Sequence, residues 1–186
     1  PFMDYISRCN YMLQQGLFVA DACYYYGDQA PNFYPAYHVV PEKLIPESLG
    51  KGYDYDVVNS DVILNRMSVK NGRIVLPDGL SYSLLVLPDQ DFIPLEVLRK
   101  LEEMVKDGAT VIGRKPIEVP YLNNYSADNI ELSKLVNRMW ESNNAEGRVI
   151  SKLTEREVLS AKGIDPDFNH DLPSVLDFIH RQSGET

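Results

Sequence analysis

The run YSLLVLPDQDFIPLEVLRKLEEMVKDGATVIGRKP, residues 82–116, constrains the fold more than any other part of the chain. Leu84, Leu85, Val86 and Leu87 are consecutive apolar residues without the alternation of a half-buried strand. Such a run predicts a strand covered on both faces, as in a parallel sheet. Pro88 ends it. Pro94 suits the first helical position, where a missing N–H costs nothing, and Glu96 places a negative charge in the first turn, which the helix dipole favours. Leu95, Leu98, Leu101, Met104 and Val105 recur at helical spacing and make one apolar face. Gly108 follows as a C′ residue able to turn left-handed, and residues 109–113 (ATVIG) form a second short apolar strand. The result is a βαβ unit with a right-handed crossover.

The flanking sequence extends this unit in both directions. Residues 2–15 read as an amphipathic helix with Phe2, Ile6, Cys9 and Leu13 as a stripe. Residues 17–26 (LFVADACYYY) read as the first strand. Residues 28–51 are a long proline- and aromatic-rich stretch, and loops of this length are usually functional or packed against another domain. A helix is expected from about Tyr55 to Met67, with Val57, Val58, Ile63 and Leu64 toward the sheet. The Asn71-Gly72 pair marks a hairpin within residues 68–83, which would put residues 74–76 at a sheet edge. Residues 128–140 read as a helix with Ile130, Leu132, Leu135, Val136 and Met139 as its apolar positions. Residues 147–151 read as a strand, Thr154 and Glu157 form a capping box, and residues 174–180 read as a short helix without a partner in this chain. The sum is an α/β fold: a flavodoxin-like, amidotransferase-like three-layer sandwich of about five mainly parallel strands in the order 2-1-3-4-5. The expected division is a helix joining from a preceding domain (1–16), the α/β domain (17–163), and a linker with the start of a following domain (164–186). Both ends give the impression of a piece of something longer.

Composition and motifs exclude several functions. The 186 residues suffice for one real core. A net charge of −9 and a pI near 4.8 argue against a general nucleic-acid or anionic-membrane binder, which needs a basic face. No apolar run approaches the roughly 20 residues of a membrane span. Cys9 and Cys23 read as small buried hydrophobes, outside any CxxC spacing. The loop after the first strand, GDQAPN, lacks the glycines of a dinucleotide loop, and PDQDF after the central strand offers no serine or cysteine for a nucleophile elbow. No cofactor and no metal is expected. Asp54, Asp56, Asn59 and Asp61 imitate a calcium loop, but Asn59 and Asn65 stand where glycine and glutamate are required. Ligands on such sheets bind outside the carboxyl ends of the strands. The candidate ligand-binding residues there and in the long loop are Asp28, Tyr34, Tyr37, Asp89, Asp91 and Arg114. Asp89 and Asp91 could act as a catalytic carboxylate pair, or cap the following helix or bind a partner's arginine. Tyr34 and Tyr37 could stack on sugar rings, or sit at a domain seam. His38, His170 and His180 share no motif.

Several segments, in order, carry a resemblance: DYISRCNYMLQQG, VADACYYYGDQAPN, GYDYDVVNSDVILNRMSVKNGRIVLPDGLSYSLLVLP, LRKLEEMVKDGATVIGRKP and LDFIHRQSG. Together they resemble glycoside hydrolase family 106, the α-L-rhamnosidase-type enzymes, over nearly the whole chain. The βαβ pattern alone is shared more widely, and is similar to the amidotransferase-like domains embedded in other glycosidases. The resemblance implies a large, periplasmic or extracellular, multidomain enzyme that degrades polysaccharide. It implies catalysis on a (β/α)8 barrel before Pro1 and β-sandwich domains after Thr186, with these neighbouring domains as partners. No catalytic carboxylate of the family maps onto this sequence. Ile93 departs from the family's frequent hydroxyl residue before the proline and cannot cap α-helical N–H groups. The expected function is thus a non-catalytic accessory domain. The alternatives are a carbohydrate- or small-ligand-binding module, or weak catalysis by Asp89 and Asp91.

Overall fold

Successive residues of a strand point to opposite faces of its sheet, and the second strand shows what that does here. Cys23 and Tyr25 enter one hydrophobic core, Ala22 and Tyr24 another, and all four are buried. The computed structural model describes residues 1–28, 45–141, 147–171 and 178–184. Among these, the elements run α1 (Phe2–Leu13), β1 (Leu17–Phe18), β2 (Ala22–Tyr25), β3 (Tyr55–Val58), α2 (Ser60–Asn65), β4 (Ser68–Lys70), β5 (Arg73–Val75), β6 (Ser81–Tyr82), β7 (Leu84–Val86), α3 (Leu95–Lys106), β8 (Thr110–Ile112), α4 (Tyr125–Glu141), β9 (Arg148–Ile150), α5 (Glu155–Ala161) and β10 (Arg181–Gln182).

Five strands form the main sheet in the order β3-β2-β7-β8-β9, every neighbouring pair parallel. Counted along the chain this is the expected order 2-1-3-4-5, and the sandwich is consistent with a flavodoxin-like fold. On one face lie α2, α3 and α4, packing Ile63, Leu98, Leu101, Leu132 and Met139 against Cys23, Leu85 and Val111. On the other face Val158 and Leu159 of α5, with Leu49 and Tyr53, cover Ala22, Leu84, Val86 and Ile112. The continuous apolar run 84–87 is therefore buried on both sides, as its lack of alternation requires.

Strand two is where sequence expectation and structure part. Residues 55–58 were expected to begin a helix and 74–76 to supply a sheet edge. Instead β3 takes the position beside β2, pairing Ala22 with Tyr55 through Tyr25 with Val58. The helix starts only at Ser60, where Asn59 caps it by accepting from the Val62 N–H at 3.1 Å. Strands β4, β5 and β6 form a separate antiparallel sheet. The Asn71-Gly72 turn has φ of 53° and 74° at its two residues, the positive pair that a type I′ hairpin needs. The expected first strand, 17–26, is also two strands. β1 pairs antiparallel with β10, and only β2 joins the main sheet.

Smaller differences have local causes. Pro94 is the N-cap of α3 rather than its first turn, with φ −58° and ψ 135°. The residue before the helix thus keeps the extended conformation while α3 begins one position later. Ile130 is 59% exposed rather than packed, whereas Leu132, Leu135, Val136 and Met139 are buried as expected. Residues 178–180 are not helical, and the His180 carbonyl accepts from the Val19 N–H at 3.0 Å. The Thr154–Glu157 capping box is formed in full. Helix α1 contributes no buried residue, with Phe2 71% exposed.

Candidate functional site

The carboxyl edge of the sheet gathers the expected site residues that lie among the described ones. Asp28 follows β2, Asp89 and Asp91 follow β7, and Arg114 follows β8. Tyr34 and Tyr37 lie outside the described residues. Arg114 reaches both carboxylates, with Nε 2.6 Å from Asp89 Oδ1 and Nη2 3.1 Å from Asp91 Oδ1. The pair of aspartates is thereby spread over one guanidinium, a fork suited to carboxylates.

The same loops are tied by backbone. The Asp91 carbonyl accepts from Ile117 N–H at 2.6 Å and Glu118 N–H at 3.2 Å, and Ile93 N–H donates to the Glu118 carbonyl at 3.1 Å. Phe92 and Glu118 form an isolated parallel bridge. Ile93, where the family often has a hydroxyl residue, is 3% exposed, joins the hydrophobic core and lines the crevice. The space left between Tyr25, Leu87, Gln90, Phe92 and Arg114 is about 10 Å³, about the least that can hold one water.

Asp28 is bound on the β2 side. Its carboxylate accepts from the Tyr25 hydroxyl, and from Ser60 Oγ at 2.5 Å. Burial, then the hydrogen bond to Asp28, pushes the Tyr25 phenol above its ordinary range. Tyr25 thus remains a neutral donor and holds Asp28 as an acceptor.

Beside this closed crevice runs an open groove of about 510 Å³, bordered by Asp28, Phe92, Glu118, Tyr121 and Tyr125. The Tyr125 hydroxyl donates to Glu118 Oε2 at 2.5 Å. Sequence reasoning missed Glu118, Tyr121 and Tyr125, because the stretch IEVPYLNNYS carries no motif. Its closely spaced tyrosines in a polar loop were the one available signal. Among the described residues no group of three or more His, Cys, Asp or Glu side chains could hold a metal ion, and no helix is long and apolar enough to cross a membrane.

Comparison with known proteins places this geometry. The profile of glycoside hydrolase family 106, described as alpha-L-rhamnosidase, matches residues 1–186. A protein of Formosa agariphila named "Putative beta-glucuronidase" is 39% identical over 186 residues, covering 99% of this chain and 15% of that protein. The solved structure of a rhamnosidase from Novosphingobium sp. PP1Y superposes with a TM-score of 0.84 at 30% identity, covering 99% of this chain and 18% of that one. The chain thus spans less than a fifth of the length of these relatives. With a profile match over its whole length, the chain belongs to glycoside hydrolase family 106.

Proposed function

We propose that this chain is a non-catalytic accessory domain of a longer, periplasmic or extracellular α-L-rhamnosidase-type glycoside hydrolase, whose chemistry lies elsewhere in the protein. The observation that carries this reading is the filled strand-end crevice. Ligands of doubly wound sheets bind at this edge, yet here the space beside Arg114, which is drawn onto Asp89 and Asp91, is about 10 Å³, and the larger groove next to it is lined by neither aspartate. A sugar ring needs far more, and neither aspartate is free of a cation. The test is release of p-nitrophenol from p-nitrophenyl α-L-rhamnoside by the folded chain. No turnover above buffer is expected. Turnover abolished by Asp89→Asn or Asp91→Asn would overturn the reading.

A second reading, sugar binding without catalysis, is favoured by the open groove. Tyr121 and Tyr125 border it together with Asp28 and Glu118, a combination of aromatic surface and carboxylate acceptors that small polar ligands use. In calorimetric titration with methyl α-L-rhamnoside, any heat of binding in the chain should fall about tenfold or more in affinity on Tyr121→Ala. A flat titration removes this second reading and leaves the first intact.

The accessory role also accounts for α1. Phe2 and Leu13, eleven positions apart and so on one helical face, are 71% and 45% exposed, a stripe suited to cover by another part of the longer protein. Replacing both by serine in the chain alone should change the unfolding free energy by no more than about 0.5 kcal/mol. Thermal denaturation checks this, and a large loss would mean the helix already packs within the chain.

A further inference from the structure

At the opposite, amino-terminal edge of the main sheet, two cations bind two buried hydroxyl side chains and a third stands beside them. Ser83, just before β7, is 2% exposed, and Thr110, first in β8, is 4% exposed. Arg73 Nη1 donates to Ser83 Oγ at 2.6 Å, and Lys162 Nζ donates to the Ser83 carbonyl at 3.0 Å and to Thr110 Oγ1 at 2.8 Å. Arg148 is the register partner of Thr110 across β8 and β9. The depression they border with Asn71 and Gly108 measures about 410 Å³.

None of the three cations forms an ion pair with a carboxylate among the described residues, although the chain carries a net charge of −9. Arg73 feels Asp21 only as a through-space charge. The hydrogen-bond inventory leaves donors unspent. Lys162 has one N–H beyond the two it uses, and Arg73 uses Nε, Nη1 and one N–H of Nη2 on Ser81 and Ser83. The Arg148 guanidinium, on the exposed edge strand β9, makes no side-chain hydrogen bond or ion pair among the described residues. Asp21 offsets Arg73 in part, but like charges held together without a directly bonded counter-charge are unfavourable unless something anionic joins them. Desolvation first, then the charges of Arg148 and Arg73, lower the Lys162 ammonium from its usual range.

We infer that Arg73, Arg148 and Lys162 form a binding site for a small oxyanion, supplied either as the carboxylate of an acidic sugar or as free phosphate. The planar fork of Arg148 suits either oxyanion, the remaining N–H groups of Arg73 and Lys162 add to it, and the buried Ser83 and Thr110 hold those two cations in place before the ligand arrives. This site lies across the sheet from the groove of Tyr121 and Tyr125 and stands independently of the accessory reading.

The test is an amide-resonance titration of the chain with sodium phosphate, D-glucuronate and D-glucose, each against sodium chloride of matched ionic strength. Saturable shifts at Gly72, Gly108 and Gly147 are expected with phosphate or glucuronate and not with glucose. The tighter of the two anions identifies the source. Arg148→Ala, at an exposed edge position, should weaken binding about tenfold, with unchanged thermal unfolding showing that it folds. Lys162→Gln should do the same through an independent residue. Shifts with neither anion, equal shifts with glucose, or shifts undiminished in both variants would overturn the site.

Discussion

Gly147→Ala is expected to lower the unfolding free energy by about 3 kcal/mol or more, because the space for a methyl group is already occupied by backbone. A Cβ built at Gly147 would lie 2.0 Å from the Val105 carbonyl oxygen and 2.9 Å from that of Ala109. Both oxygens belong to the turn that leads from α3 into β8. The Val105 carbonyl accepts from Gly108 N–H at 3.1 Å, and the Ala109 carbonyl accepts from Arg148 N–H at 3.1 Å. A methyl group there cannot be relieved by rotating a side chain. It must push the entry of β9 away from β8, breaking the hydrogen bond that sets the Thr110–Arg148 register. Urea denaturation of wild type and variant checks this. A loss under about 1 kcal/mol would show that the β8–β9 contact yields easily.

Asp21→Asn is expected to stabilise the chain at neutral pH by up to about 3 kcal/mol and to do nothing near pH 4. Asp21 joins β1 to β2 and is 6% exposed, and its Oδ2 has no hydrogen-bond partner. Burial first, then the charge of Asp167, pushes its carboxyl up to about 6, while Arg73 and His180 pull the other way. A raised folded pKa means that the native state binds the proton more tightly than the unfolded chain. The stability so contributed is complete below the unfolded value of 3.8 and is lost as pH rises through about 6. The shift of about two units corresponds to about 3 kcal/mol at most. Asparagine keeps the size and the backbone bonds from Asp21 to Asp54, Ser83 and Leu84 while removing the charge. Thermal unfolding at pH 4 and pH 7 should show the two proteins level at the first and separated at the second. A variant destabilised equally at both would mean that the carboxylate is paired in solution.

How far sequence carried depends on the range of the signal. The crossover from β7 through α3 to β8 was legible because it is local. The apolar run, the helical stripe and Gly108 each state their own conformation within a few residues. The Asn71-Gly72 hairpin and the Thr154 capping box were legible for the same reason. At the site, Asp28, Asp89, Asp91 and Arg114 were placed correctly at one edge, since topology alone carries strand ends there. That Arg114 would draw both aspartates onto itself was not legible, because the whole crossover through α3 and β8 lies between Asp91 and Arg114, and the contact exists only once that crossover has folded back. Glu118, Tyr121 and Tyr125 escaped because their groove is bordered by side chains from separate loops.

The double burial of the central strand was determined by the sequence itself, through an apolar run without alternation, and the order 2-1-3-4-5 followed from the succession of strands and helices along the chain. Only the tertiary structure decided which segment fills the second position. Residues 55–58 (YDVV) fit a helical or an extended reading equally over four residues, and pairing with β2 resolved it by supplying the ladder hydrogen bonds that a short strand cannot make alone. Tertiary packing likewise decided that Ile93 and Arg114 close the strand-end crevice, and that Arg73, Arg148 and Lys162 meet at the other edge. Those contacts join residues from β5, β9 and the end of α5, and charge placement across such distances is settled by the sheet, not by any neighbouring residue.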